Sequence, residues 1–281
     1  MSRPFLIDTH SHLDDSVLSR DLDSIVKRAL EEKIWMITVG SDLESSRRAV
    51  ALAAQYPEGV YAAVGLHPRR APQGKAGAEG ADLGRFRELL NHPKVVAIGE
   101  VGLDYTDFPE LRKNDPRQSL VEAAKASQKA LFSAFLEMSR EVRLPLMVHC
   151  REAHEDMLEM LENWDRLTPG FDARGIIHGY IGDWKTARRY FNLDFAISVT
   201  GIMSHGAYGL EVLKKVPLSQ LVIESDCPHN TITPWALRRS EPCYLPTCVS
   251  AVAGLRGERT EAVAAAMTAN ALRILKRLPR N

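Results

Sequence analysis

Short apolar runs alternate with amphipathic stretches from one end of this chain to the other, and that alternation limits its possible folds more than any other feature. The run Phe5-Leu-Ile-Asp-Thr-His-Ser-His-Leu13 reads as a strand, and Asp21 to Glu32 as a helix with Leu22, Ile25, Val26, Ala29 and Leu30 on one stripe. Ile34 to Val39 is a buried strand, Leu43 to Gln55 a helix halted before Pro57, and Val60 to Val64 a strand. Helices over Leu83–Leu90, Leu120–Val142, Ala153–Trp164, Trp184–Phe191 and Tyr208–Lys215 then alternate with strands over Val95–Gly99, Leu146–His149, Gly175–His178, Phe195–Val199 and Leu221–Ser225. Pro242–Leu255 and Glu261–Leu275 read as closing helices, and Arg69–Gly80 and Thr106–Pro116 as long loops. About eight strands, each followed by a helix, predict a (β/α)8 TIM barrel, with an open doubly wound sheet as the competitor. The 281 residues suit one such barrel, and no repeat, low-complexity tract or linker divides them, so residues 1–281 are expected to form a single barrel.

The C-terminal ends of these strands carry His10 and His12, then His67, Glu100, His149, His178 and Asp226. In a barrel such ends converge on one mouth. A lone His-x-His pair is compatible with ordinary polar residues, but imidazoles and carboxylates gathered at one mouth make a polynuclear metal site the economical reading. Strand alternation supplies a second expectation. Leu6 and Asp8 should share a face with His10 and His12, and Val96 and Ile98 with Glu100. Met147 and Arg151 should do so with His149, Ile176 with His178, and Val222 and Glu224 with Asp226. The metal end is thereby expected at the C-terminal mouth.

Lys+Arg and Asp+Glu both number 36, which argues against a protein held on duplex nucleic acid by bulk charge. The four cysteines form no Cys-x-x-Cys pair and read as reduced thiols of an intracellular protein. Met1-Ser-Arg-Pro leads straight into a strand pattern without a signal peptide, and no apolar run is long enough to cross a membrane, so a cytoplasmic location is expected, or a nuclear one in a eukaryote.

The segments Ile7-Asp-Thr-His-Ser-His-Leu13, Ala63-Val-Gly-Leu-His-Pro68, Ile98-Gly-Glu-Val-Gly-Leu-Asp-Tyr105 and Leu144-Pro-Leu-Met-Val-His-Cys-Arg-Glu152 carry a family resemblance. It continues through Ile177-His178, Ile223-Glu-Ser-Asp-Cys-Pro228, Glu241-Pro242 and Asn270-Ala-Leu-Arg273. The chain resembles the TatD-like metal-dependent deoxyribonucleases, within the amidohydrolase-type hydrolases. The resemblance implies a TIM-type barrel, two divalent metals and phosphodiester hydrolysis, as a DNase or 3'-5' exonuclease on single strands or DNA ends, with RNA as a further substrate. It also implies that His10, His12 and Asp226 hold one metal and His149 and His178 the other, with Glu100 bridging. The mixed donor set admits Zn, Mn, Co or Ni, and Mg at the more oxygen-rich position. The chain departs from the family pattern at His178-Gly-Tyr-Ile-Gly182, at Ser240-Glu241-Pro242 and at Thr106, which touches substrate-facing detail rather than the ligands.

Asp226 is expected to serve also as general base and Arg151 as a phosphate clamp, against an inter-loop salt bridge for Arg151. Asp8 and Glu224 read as second-layer acceptors for ligand imidazoles or as an internal pair. His67 reads as second-layer or substrate-facing, against a packed turn histidine. Tyr105 stacks on a base or packs under a loop, His205 and His229 could line the cleft, His92 and His154 read as structural or exposed, and Cys150 and Cys227 as packing residues. The run Lys276-Arg277-Leu-Pro-Arg280 reads as a solvated tail. Two other functions use the same barrel: a metal-dependent amide or ester hydrolase or deacylase, and a non-catalytic scaffold.

Overall fold

A computed structural model describes residues 3–71, 81–109, 115–171, 174–200, 207–229 and 239–280. The strands are β1 Leu6–Ser11, β2 Ile34–Val39, β3 Val60–Val64, β4 Val95–Asp104, β5 Leu146–Arg151, β6 Gly175–His178, β7 Phe195–Val199 and β8 Leu221–Ile223. The helices are α1 Leu22–Glu31, α2 Leu43–Gln55, α3 Leu83–Leu90, α4 Gln118–Val142, α5 His154–Leu167, α6 Trp184–Asn192, α7 Ala207–Lys215, α8 Leu245–Arg256 and α9 Thr260–Ile274. The strands pair in parallel and in chain order, and β8 returns to β1 with Ile223 opposite Asp8, which closes the sheet. A closed parallel barrel has no edge strand, and this closure removes the open doubly wound alternative.

Two apolar layers follow from the closure. The outer one joins alternate strand residues such as Leu6, Met36 and Ala62 to the helix faces, where Ile25, Ala49, Phe135 and Leu158 are buried. The inner one fills the barrel with Ile7, Ile37, Ala63, Met147, Ile176 and Val222. The barrel floor is closed by Ala271 and Ile274 of α9 together with Leu275 and Leu278. The C-terminal run is therefore no solvated tail: Leu278 is buried, and Arg277 Nη1 donates to the carbonyls of Leu90 and Val95 at 2.8 and 3.0 Å.

Strict alternation holds on β5 and β6 and through Val222 of β8, but fails on β1 and β4. Leu6 belongs to the outer layer and Ile7 to the inner, the reverse of the expected parity, and the β1–β2 register shifts between Asp8 and Ser11. Ile98 likewise faces outward, and the β4–β5 register shifts between Ile98 and Val101. A bulge moves every later side chain to the other face, so both strands deliver inward-facing ligands despite outward-facing residues earlier in the strand. β4 also extends past Gly99 to Asp104, whereas β8 stops at Ile223 and leaves Glu224 and Asp226 in the following segment.

Candidate metal centre

The seam between β1 and β8 places the first group. Asp8, fully buried, accepts from Ser225 N and Ser225 Oγ at 2.9 and 2.5 Å and from His10 N at 3.3 Å. Burial, opposed by these bonds, pushes its carboxyl up to about 8. Asp226 N donates to His10 O at 2.9 Å, and His12 N to Cys227 O at 2.6 Å. These bonds hold Asp226 beside the two histidines, with its backbone in the left-handed region at φ 48, which Asp tolerates better than most residues. Asp226 Oδ1 lies 3.6 Å from His12 Nε2 and 4.0 Å from His10 Nε2.

Glu100 is the buried hub of the site, and its two oxygens face different histidines. Oε2 lies 3.6 Å from His10 Nε2 and 3.8 Å from His12 Nε2. Oε1 lies 2.6 Å from His149 Nδ1, 3.6 Å from His67 Nε2 and 3.7 Å from His178 Nε2. Burial opposes its charge, but the surrounding imidazoles, His67 and His149 foremost, hold the carboxyl well below its ordinary range. Burial holds His10 well below the usual imidazole value and brings His67 down to about 4, so both rest neutral, the form that binds metal. Burial also opposes charge on His178, but Glu224, then Glu100 and Asp226, outweigh it and raise that imidazole to about 9.

Polar contacts from behind set which nitrogen of each ring faces the centre. His12 Nδ1 donates to Val39 O at 2.9 Å, and His178 Nδ1 stands 2.9 Å from Glu224 Oε1 as an ion pair. Asp104 Oδ2 accepts from His149 Nε2 at 2.9 Å, so Nδ1 is the nitrogen turned to Glu100. These contacts test whether a metal fits. His12 Nε2 carries a bare lone pair, yet it faces His10 Nε2 at 3.2 Å; His149 Nδ1 faces a carboxylate oxygen at 2.6 Å. Each gap calls for a proton or a cation between two electron-rich atoms, and the N,O donor set suits a borderline divalent ion. The ligand atoms of His10, His12 and Asp226 lie within 4.8 Å of one another, as do those of His10, Glu100 and His178, and those of His67, Glu100 and His149.

All the residues expected at the mouth are brought together. His149 and His178, expected to act together, both face Glu100 Oε1, with ring centroids 6.2 Å apart; His67 lies on the same side, and His178 also stacks on His10 at 3.6 Å. Asp8 binds backbone and Ser225 rather than an imidazole, whereas Glu224 does hold one. Tyr105 packs, with its hydroxyl donating to Asp156 at 2.7 Å. His154 is structural, between Tyr190 and the Ile181 carbonyl, and Cys150 and Cys227 are buried in the outer layer. His92 caps the backbone at Lys94, and His205 lies outside the described residues. Among the described residues, no carboxylate comes within salt-bridge distance of Arg151, whose Nη1 donates to Cys150 O at 3.0 Å. Arg151 and His229 open, with the metal-site residues, onto a cleft of 1230 Å3. Sequence reasoning missed Asp104 as the partner of His149, although it shares the spacing of Glu100 and Gly102 in the Gly-Leu-Asp-Tyr segment.

No helix among the described residues is long and apolar enough to cross a membrane. Residues 7–276 match the family described as TatD related DNase. The chain is 32% identical over 274 residues to the uncharacterized metal-dependent hydrolase YabD of Bacillus subtilis, covering 96% of this chain and 99% of that one. It is 32% identical over 275 residues to the 3'-5' ssDNA/RNA exonuclease TatD of Salmonella typhimurium, covering 95% and 97%. The crystal structure of YJJV, a TatD homologue from Escherichia coli K12, superposes with a TM-score of 0.81 at 26% identity over 99% of this chain and 100% of that one. A TatD family hydrolase from Entamoeba histolytica shares the fold with the same TM-score at 20% identity, covering 98% and 99%. The barrel, the gathered imidazoles and carboxylates, and the matched span together make this chain a member of the TatD related DNase family of metal-dependent hydrolases.

Proposed function

We propose that this chain is a two-metal 3'-5' exonuclease that releases nucleotides from single-stranded DNA, and from RNA, in the cytoplasm. The observation that carries the reading is the division of Glu100: Oε2 faces His10 and His12, with Asp226 beside them, and Oε1 faces His67, His149 and His178. One oxygen for each group is what a carboxylate shared by two divalent ions requires. Zn, Mn, Co or Ni suit both positions, and Mg the one richer in oxygen. Bound there, the ions supply Lewis acidity and lower the pKa of water. Asp226 accepts the proton of the attacking water at its carboxylate, and burial, which raises its pKa, makes it the better base. Arg151 offers paired N–H donors to the phosphoryl oxygens. Val39 O, Glu224 and Asp104 keep His12, His178 and His149 in their ligand tautomers. The cysteines are all free, which fits a reducing compartment.

The test is a screen of the purified protein with each divalent ion against single-stranded DNA, duplex DNA, RNA and aminoacyl or amide substrates. Metal-dependent release of mononucleotides from the 3' ends of single strands, abolished by chelation, is expected. Release from amide or ester substrates alone would move the chain to the deacylase reading. Arg151→Ala is expected to keep its metal and lose about ten- to a hundredfold in kcat/KM, because a charge-assisted contact contributes roughly 1.5–3 kcal/mol and each 1.36 kcal/mol is tenfold. An unchanged kcat/KM would leave Arg151 without a role at the phosphate.

A further inference from the structure

Building on the exonuclease reading, we propose that Arg69 and Arg70 form a phosphate-binding track that grips the polynucleotide beyond the nucleotide being cleaved. The cleft over the metal centre, at 1230 Å3, exceeds the roughly 300–1,000 Å3 that suits one small ligand, and both arginines line it. They sit on the short helical turn Pro68–Arg70, which starts from His67. His67 Nε2 is 3.6 Å from Glu100, and its Nδ1 accepts from Arg69 N at 3.2 Å, so the turn carrying both guanidinium groups is tied directly to the metal centre.

Their present partners are replaceable. Arg69 pairs with Asp107 and Arg70 with Asp42, the latter at 2.7 Å; the two arginine side chains remain 51% and 57% exposed, and Asp107 62%. Exposed pairs of this kind contribute little and are screened by salt. A guanidinium has five N–H donors, so a phosphate can be added to or substituted for such a carboxylate. The other charged residues of the lining are different. Asp14 and Asp15 are acidic, and Arg48 is held at 3.0 Å by Asp14, whose side chain is only 5% exposed. That acidic part repels phosphate, so the strand's backbone runs along Arg69 and Arg70. The grip is independent of sequence, and it favours substrates of several nucleotides over dinucleotides.

The test uses the metal-loaded protein and fluorescent phosphorothioate oligothymidylates of two and eight residues, with binding read by anisotropy across a salt series. The wild type is expected to bind the longer probe more tightly. The double variant Arg69→Ala/Arg70→Ala is expected to lose that length advantage, and its slope of log affinity against log salt should be shallower by about 1.4, since single strands release about 0.7 counterion per phosphate neutralised. Between 50 and 200 mM salt this changes the affinity loss about sevenfold. Arg69→Lys/Arg70→Lys, which keeps the charges, should retain most of the slope and shows that the turn is intact. An unchanged slope in the alanine variant overturns the proposal. Equal wild-type affinity for both lengths also overturns it and leaves the exonuclease reading standing, whereas no wild-type binding of either probe overturns both.

Discussion

Asp226→Asn is expected to keep its fold and most of its metal while kcat falls about a hundredfold or more, the lower end of what a positioned general base contributes. The backbone at this position is fixed independently of the side chain, through Asp226 N donating to His10 O at 2.9 Å. Asn keeps a carbonyl oxygen where Asp226 Oδ1 stands, 3.6 Å from His12 Nε2, and His10, His12 and Glu100 still surround that position. What Asn removes is the lone pair that can take a proton. Arg151 still meets the phosphate, so substrate affinity measured without turnover should change little. Metal analysis by mass spectrometry alongside single-turnover rates separates the outcomes. Loss of metal in step with activity would make Asp226 chiefly a ligand and move the general-base role to another group at the centre. Retention of both metal and rate would remove the segment after β8 from the chemistry.

The alternation of apolar runs specified the closed barrel, and the polar residues at strand ends specified which side chains meet, because both depend on local periodicity. The failures have local causes too. Two glycines in Gly99-Glu-Val-Gly102 read as the end of a strand, yet β4 continues through them. They are required by proximity to β5: a Cβ on Gly99 would stand 2.5 Å from Met147 Cβ, and one on Gly102, at φ +145, 2.0 Å from His149 O. That close approach to β5 is not visible in the sequence, so Asp104 falls outside the expected strand Val95–Gly99. Parity on β1 and β4 reversed for a similar reason, since the register shifts at Asp8–Ser11 and Ile98–Val101 are set by the neighbouring strands and leave no mark in the spacing along either strand. The distribution of histidines between the two oxygens of Glu100 depends on side-chain direction across strands, which spacing along one strand does not determine. Leu275 and Leu278, by contrast, continued the helical spacing of Ala271 and Ile274, and the basic residues between and after them hid a legible stripe.

Glu100→Gln should have a broader effect than any histidine substitution. Each Glu100 oxygen serves one side of the centre, with His10 and His12 at 3.6 and 3.8 Å from Oε2 and His149 at 2.6 Å from Oε1. His12→Ala removes a ligand from the Oε2 side alone and is expected to cost about one equivalent of metal. His149→Ala does the same on the Oε1 side. Gln in place of Glu100 removes the negative charge common to both sides and turns one acceptor into a donor aimed at imidazole lone pairs. Changing the partners behind metal ligands typically costs about 10- to 100-fold in affinity, so loss of the shared ligand itself is expected to exceed about a hundredfold at both sides. Two measurements read this. Metal content should fall from about two equivalents per chain toward zero, as the loss of a two-metal clamp requires. The rise in Tm that saturating metal gives the wild type, about 2.7 kcal/mol of stabilisation at a hundredfold excess over Kd, should vanish. The metal-free variant should itself fold, because Gln fills the same volume and no longer buries a charge. A Glu100→Gln protein that holds two equivalents and keeps its metal-dependent Tm shift would show that the two sides are occupied independently, and the shared-carboxylate reading would fall with it.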